Sequence, residues 1–240
     1  MIRAGRVRLK GVISKNPEAG VRLGKDRIEV DGVEVKRAEN TYWMLNKPRG
    51  LVTTAEDEQG RETVYAGLPA GLPWIAAVGR LDKASEGLLF FTNDSEWAAR
   101  ITAPESHLDK IYHVQIATVA DESLLSALRR GVRCEDGEVL RAKRAGRIRT
   151  GERNTWIEIV LDEGKNRQIR RMLEACGVEV LRLVRVAIGP VELGQLERGT
   201  ARELTADEKE QLDRALLRCR DTADTAAVQQ IRVVPTGKSQ

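Results

Sequence analysis

Apolar residues recur along this chain in short runs separated by Gly, Pro, Asn and Asp, a pattern that predicts many short strands with few helices. From Gly5 to Arg37 the runs RVRLKGVI and RIEVDGVEV form a small β module with a turn at residues 15–18 between them. Asp31-Gly32 inside the second run is a strong two-residue hairpin signal. A segment of mixed polarity at 36–41 leads into YWMLNKPRGLVTT, where two strand-like runs flank the breaker Lys47-Pro48-Arg49-Gly50. A domain boundary is therefore expected near residue 40. Next come the apolar run PWIAAVG, a polar segment at 80–86, and the apolar strand GLLFFTND.

Residues 109–118 alternate around Ile111, His113 and Gln115, as a strand exposing one face does. Asp121 can cap a helix over DESLLSALRR, with Gly131 as a left-handed stop. Two further strand candidates, VLRAKRAGRIR and NTWIEIVLDEG, precede NRQIRRMLEACG, where Ile169, Met172, Leu173 and Cys176 fall at helical spacing. VEVLRLVRVAIG predicts a closing strand. Thr205-Ala206-Asp207-Glu208 is a capping box opening a short helix with Leu212, Leu216 and Leu217. Beyond Asp221 the residues turn polar and small. A domain at 41–218 followed by a flexible tail at 219–240 is expected.

A chain of 240 residues, 41% hydrophobic and 32% charged, is long enough for one sizeable core and a small second one. No apolar run approaches the roughly 20 residues of a membrane span, and MIRAGRVRLK lacks the apolar stretch of a secretory signal. A cytoplasmic protein without a membrane partner is expected. Cys134, Cys176 and Cys219 show no paired spacing and read as reduced thiols. The net charge is only +4, but residues 1–40 hold ten basic against six acidic side chains, and residues 141–171 ten against four. Two basic islands fit an extended polyanion held at two places, or simply a solvated charged surface.

The segment Gly79-Arg80-Leu81-Asp82 lies between two apolar strands, where a loop is held at the rim of a sheet. An Asp beside an Arg there can serve as nucleophile or base, or it can cap its own turn. Arg167, Arg170 and Arg171 crowd one face at the start of their helix, where the dipole disfavours cations unless an anion is close. Tyr112 can stack on an unstacked base or pack in the core. His107 and His113 lack further ligands for a metal, and neither a Walker loop nor a Gly-rich dinucleotide fingerprint occurs.

Taken together, LNKPRGLVTT, GRLDKASEGLLFFTND, DKIYHVQI and EGKNRQIRRMLEACGVEVLRLVRVAIG resemble, in order and spacing, the bacterial ribosomal-RNA pseudouridine synthase family typified by RsuA. The resemblance covers roughly residues 41 to 210. It implies an α+β fold with a mixed, mainly antiparallel sheet flanked by helices, and isomerisation of a ribosomal-RNA uridine without cofactor or metal. The family's catalytic aspartate follows Arg-Leu and falls on Asp82, which would attack either the sugar or the base ring. By the same resemblance Tyr112 packs against the base, Arg170 pairs with Asp82, and Arg80, Arg167 and Leu183 bind substrate, while Lys47-Pro48 shapes the pocket wall. The base must leave its stack, so a cleft basic at its rim and apolar beneath is expected. EGKNRQIR is closer to the large-subunit branch of the family than to the small-subunit branch, where His is usual near residues 166–167. A monomer with ribosomal RNA as its partner is expected.

The first 38 residues resemble the second half of an S-four-type RNA-binding domain, through IRAGRVRLKG followed by DRIEVDG. Arg3, Arg6, Arg8 and Lys10 are then the candidates for RNA backbone contacts. A non-catalytic RNA-binding assembly factor is the alternative function, although such a binder has no need of Asp82 beside an Arg. A phosphoesterase would want clustered carboxylates or histidines, which the sequence lacks. The helix that opens an S-four-type domain is absent before Met1, leaving Ile2 and Val7 without their helical partner, so a start upstream is expected. Intact-mass measurement of the native protein should give more than the mass of Met1–Gln240; an equal mass overturns that expectation.

Overall fold

The structure, a computed structural model, describes residues 1–22, 25–35 and 39–231, with side chains as far as residue 218. Lys36, Arg37, the Cys219 thiol and the last nine residues lie outside that description. The chain divides into two compact units, Met1–Asn40 and Thr41–Gln240.

The first unit is an antiparallel sheet of β1 (Val7–Leu9), β2 (Val12–Ile13), β3 (Ile28–Val30) and β4 (Val33–Glu34), in the order β2-β1-β3-β4. Asp31 and Gly32 carry φ of 53° and 80°, and Lys10 and Gly11 carry 53° and 81°. Paired positive φ is the mark of the type I′ turn, whose twist suits a hairpin. The Lys10-Gly11 turn folds RVRLKGVI, read from the sequence as one strand, back on itself.

In the second unit β5 (Tyr42–Lys47), β6 (Ala76–Val78), β7 (Glu86–Thr92), α1 (Ser95–Thr102), β8 (Lys110–Ile116) and α2 (Glu122–Arg130) come first. The short hairpin β9 (Val132–Arg133) and β10 (Val139–Leu140) follows, then β11 (Arg144–Thr150), β12 (Thr155–Leu161) and α3 (Gln168–Ala175). The chain closes with β13 (Val180–Ile188), β14 (Val191–Glu192), β15 (Ala201–Glu203) and α4 (Ala206–Ile231). The large sheet runs β11-β12-β8-β13-β7-β5-β15, with β6 added to β7 and β14 to β13. Every pairing in it is antiparallel except β7 with β13. This is the mixed, mainly antiparallel sheet expected.

Several local expectations give way. The run LVTT makes only the single bridge Val52–Thr63, because its hydroxyls engage backbone: Thr53 bonds Leu81 and Thr54 bonds Glu56. The unforeseen α1 is short, with Trp97 and Ile101 as its only buried residues, and is started by Asp94, whose carboxylate accepts from Trp97 N at 3.0 Å. Gly131 ends α2 at φ 115°, ψ 136°, a positive-φ conformation that favours glycine but lies outside the left-handed helical well expected of the stop. The backbone of α4 continues through Ile231 where a loose tail is expected; TADTAAVQQI is rich in Ala and holds neither Gly nor Pro to stop a helix.

Strand β7 is buried along its whole length. Leu88 and Phe90 enter a cluster with Met44, Trp97, Ile101 and Leu212, whereas Leu89 and Phe91 enter another with Leu45, Val64, Ile75 and Leu81. A strand covered on both faces reads as an unbroken apolar run, which explains GLLFFT. A third cluster joins Leu125 and Leu128 of α2 and Met172 and Leu173 of α3 to Val114, Ile157 and Ile159.

Because β5 occupies one edge of β7, the strands β6 and β13 must share the other. Strand β6 pairs with Phe90–Thr92, and β13 with Glu86 and Gly87. The sheet therefore forks at the start of β7. Gly87, at φ 102°, sits in that fork: a Cβ there would lie 2.2 Å from the Arg185 carbonyl oxygen. Glu86 beside it is buried and accepts from Arg182 Nε and Nη2 at 3.1 and 2.9 Å, a two-point tie from β7 to β13. Gly87→Ala should cost about 2–4 kcal/mol, combining positive-φ strain with overpacking. Denaturant unfolding checks this, and a midpoint equal to wild type would contradict the close approach.

Candidate active site

The loop at residues 79–85 leaves β6 and returns into β7 at the fork. Five consecutive carbonyl groups in it are held. Thr53 Oγ1 donates to Leu81 O at 2.7 Å and accepts from Leu81 N at 3.3 Å. Gly50 N donates to Lys83 O at 2.8 Å, and Arg170 Nη2 to Ala84 O at 3.1 Å. Lys47, at the end of β5 and with no solvent exposure, donates from Nζ to Ser85 O at 2.8 Å, Pro48 O at 3.1 Å and Asp82 O at 3.2 Å. Three acceptors match the three protons of an ammonium group. Burial nevertheless pulls the Lys47 pKa down to about 8, against the attraction of the Glu86 and Asp82 carboxylates.

With its backbone tied, Asp82 presents a half-buried carboxylate to a cleft of about 630 Å³. That carboxylate has no hydrogen bond or ion pair among the described residues. The volume is within the roughly 300–1,000 Å³ of sites that enclose a small organic group. One wall is the loop itself with the end of α1; the other is the start of α3 with β8 and β13. Arg80 and Arg167 stand exposed at the rim, while Tyr112 is half-buried and Leu183 buried beneath. Lys110, Lys165, Arg170 and Arg185 add positive charge to the lining, against Asp82 and Glu163 alone. The cleft is thus suited to an anionic chain that delivers one flat group inward.

Asp82, Arg80, Tyr112, Arg167, Arg170 and Leu183, singled out in the sequence, all line this one cleft. Three expectations change in detail. Lys47 is no part of the pocket wall, because its ammonium lies under the loop and binds carbonyls. Arg170 makes no direct ion pair with Asp82 but bonds the carbonyl two residues later. Burial lowers its pKa, Arg167 lowers it further, and the Asp82 carboxylate works in the other direction. The three guanidinium groups of this segment also part company. Arg167 precedes the helix at φ 48°, and Arg171 turns away to Asp136 and to Glu138 at 2.8 Å. In the first unit Arg3, Arg6, Arg8 and Lys10 are exposed; Arg6 is engaged two-point by Asp31, and Lys10 lies 3.2 Å from Asp26.

Sequence reading overlooked Arg185. Its signal was present, since Leu183, Arg185 and Ala187 alternate on one strand face and the charged member sits among buried neighbours. Thr53 and Gly50 carry no such signal, as their contacts are with a loop about 30 residues away in sequence. Among the described residues no three His, Cys, Asp or Glu side chains converge on a point where a metal ion could sit.

Comparison with known proteins agrees with this architecture. The RNA pseudouridylate synthase family matches residues 41–175, a span containing the loop, Tyr112 and Arg170. A protein of Bacillus subtilis (strain 168) named ribosomal large subunit pseudouridine synthase B is 38% identical over 88% of this chain and 87% of its own length. An uncharacterized RNA pseudouridine synthase of Aquifex aeolicus is 36% identical over 90% of this chain and 87% of its own. A crystal structure of a pseudouridylate synthase superposes with a TM-score of 0.66 at 32% identity, covering 88% of this chain and 90% of that one. The chain belongs to the RNA pseudouridylate synthase family.

Proposed function

We propose that this protein converts a uridine of large-subunit ribosomal RNA to pseudouridine, with Asp82 as nucleophile. The observation that carries this reading is the Asp82 carboxylate, unpaired among the described residues, on a loop with five consecutive carbonyls held, facing a basic cleft. A nucleophile needs that combination of a fixed backbone and a free oxygen. The names of the relatives support ribosomal RNA, and the large subunit in particular.

Arg80 and Arg167 hold the phosphates flanking the target, and the flipped base rests on Tyr112 over Leu183. Asp82 attacks the anomeric carbon of the sugar or carbon 6 of the ring. The bond from N1 to the anomeric carbon breaks and its electron pair stays with the uracil. The ring turns and its carbon 5 bonds the sugar, the bond from Asp82 to the sugar or to carbon 6 breaks with its electron pair returning to the carboxylate, and the proton on carbon 5 is lost while N1 gains one. Atoms and oxidation state balance, so the reaction calls for neither cofactor nor metal. Arg170 spans the two sides of the cleft by holding the loop at Ala84 while lending positive charge to Asp82. In the first unit the exposed Arg3 and Arg8 serve as the contacts of an S-four-type module to RNA, because Arg6 and Lys10 already face carboxylates. We read the protein as a cytoplasmic monomer.

Mapping pseudouridines in ribosomal RNA by chemical labelling and sequencing, with and without the gene, should reveal one lost site in the large subunit. An unchanged map refutes the assignment. Asp82→Asn should keep RNA affinity while lowering turnover by roughly 10³-fold or more; modification at the normal rate would favour an RNA-binding protein without chemistry.

Lys47 adds a pH dependence. Above about pH 8 its ammonium loses a proton, and one of the three carbonyls loses its donor. Turnover should fall with an apparent pKa near 8, and Lys47→Met should be slow and lack that step. The fall should not come from unfolding through this group. Its folded pKa lies below the ordinary 10.5, so the unfolded chain binds more proton between the two values and this group's contribution to stability rises with pH there. Turnover and thermal unfolding measured side by side from pH 7 to pH 10 separate the two effects.

A further inference from the structure

Arg185 is the charged side chain that neither the fold nor the proposed roles account for. It is 7% exposed and lies on β13, with its Nε donating to Leu88 O at 2.8 Å. Its Nη2 is buried and has no hydrogen-bond partner among the described residues. No carboxylate among the described residues pairs with it. A guanidinium cannot shed its charge as a buried lysine can, and a buried donor left unsatisfied is costly. The other strongly placed arginines of this region are answered within the chain: Arg182 by Glu86, and Arg171 by Asp136 and Glu138.

The partner for Nη2 must therefore enter through the cleft that Arg185 lines. Arg185 is in register with Tyr112 on the neighbouring antiparallel strand, so the two side chains project from the same face of the sheet. Phosphates are met first by exposed Arg80 and Arg167 at the rim. What reaches the depth of Tyr112 and Arg185 is the base, whose acceptors at its edge are the two exocyclic carbonyl oxygens.

We propose that Arg185 Nη2 hydrogen-bonds a carbonyl oxygen of the target uracil and stabilises the negative charge that develops there during isomerisation. The inference rests on the pseudouridine synthase reading above, but not on the point of attack. If Asp82 attacks the sugar, the pair left on N1 delocalises onto O2 and O4. If it attacks carbon 6, the displaced π electrons collect on O4. Either route makes a carbonyl oxygen more basic in the transition state than in the bound substrate, and a preorganised donor in a water-poor site accelerates such a step.

The test uses a synthetic RNA stem-loop carrying the mapped uridine, with single-turnover rates and RNA dissociation constants measured separately. Arg185→Met should slow the single-turnover step by about 10²–10³-fold, the effect of removing one oxyanion donor, with dissociation of RNA changed far less. Arg185→Lys should restore part of the rate. Because the Met variant also loses the Leu88 contact, a second measurement leaves the protein intact: 2-thiouridine or 4-thiouridine replaces the target, sulfur being the weaker acceptor. One of the two should slow the wild type by a factor that Arg185→Met no longer shows. A normal rate in the Met variant, a defect confined to RNA affinity, or thio effects identical in both proteins overturns the role of Arg185 and leaves the synthase reading intact. Wild-type protein that forms no pseudouridine in any large-subunit RNA overturns both.

Discussion

A buried ammonium under a loop of carbonyls is the contact on which the site depends. Lys47 has no exposure, and its three donors go to Pro48, Asp82 and Ser85, joining β5 to both ends of the segment that carries the carboxylate. Backbone carbonyls in a tight loop must find donors when water is excluded. Here Lys47, Gly50 and Thr53 supply them from one stretch at and after the end of β5, and Arg170 supplies one from α3. The consequence is a division between backbone and side chain: the carbonyls of residues 81–85 are satisfied within the protein, while the Asp82 carboxylate is not.

The forked sheet gives that loop its place. With β5 filling one edge of β7, the other edge is handed from β6 to β13 within one strand, and the loop occupies the opening between them. Gly87 permits the close approach of β13, and the Arg182–Glu86 pair fastens it. The same approach delivers Arg185 and Leu183 to the cleft that Asp82 enters from the opposite side. The arginines around it divide accordingly. Arg171 and Arg182 are met by carboxylates, Arg80 and Arg167 stand in solvent at the rim, and half-buried Arg170 and buried Arg185 each hold one buried nitrogen, Nε and Nη2, with no hydrogen-bond partner among the described residues. This gradation, with unpaired positive charge increasing toward the cleft, matches a substrate that is a polyanion outside and a polarisable ring inside.

Much of the architecture was legible where local chemistry and tertiary packing agree. Asp121 accepts from Leu124 N at 2.8 Å, and Thr205 and Glu208 satisfy each other's backbone N–H groups at 3.1 and 2.8 Å, as their spacing implied. Ile169, Met172 and Leu173 are buried on α3, as their periodicity required. Where a segment lacked a strong local signal, as in α1 with its two buried residues, or had its hydroxyls drawn to a distant loop, as at residues 51–54, the pattern was silent or misleading.

The sequence by itself determined the family, the candidate loop at residues 79–85 and most of the cleft lining, because linked motifs hold residue types that only a shared site keeps at those spacings. Tertiary structure decided what each charged group faces. Lys47 reads as a pocket residue until β5 places it beneath the loop, and Arg170 reads as the partner of Asp82 until its reach ends at the Ala84 carbonyl. Arg185 reads as one more basic residue until β7 and β13 bury it. The physical reason is common to all three: a cation's role is set by the acceptors within about 3 Å of it, and those come from residues tens of positions away, at distances that no local pattern encodes.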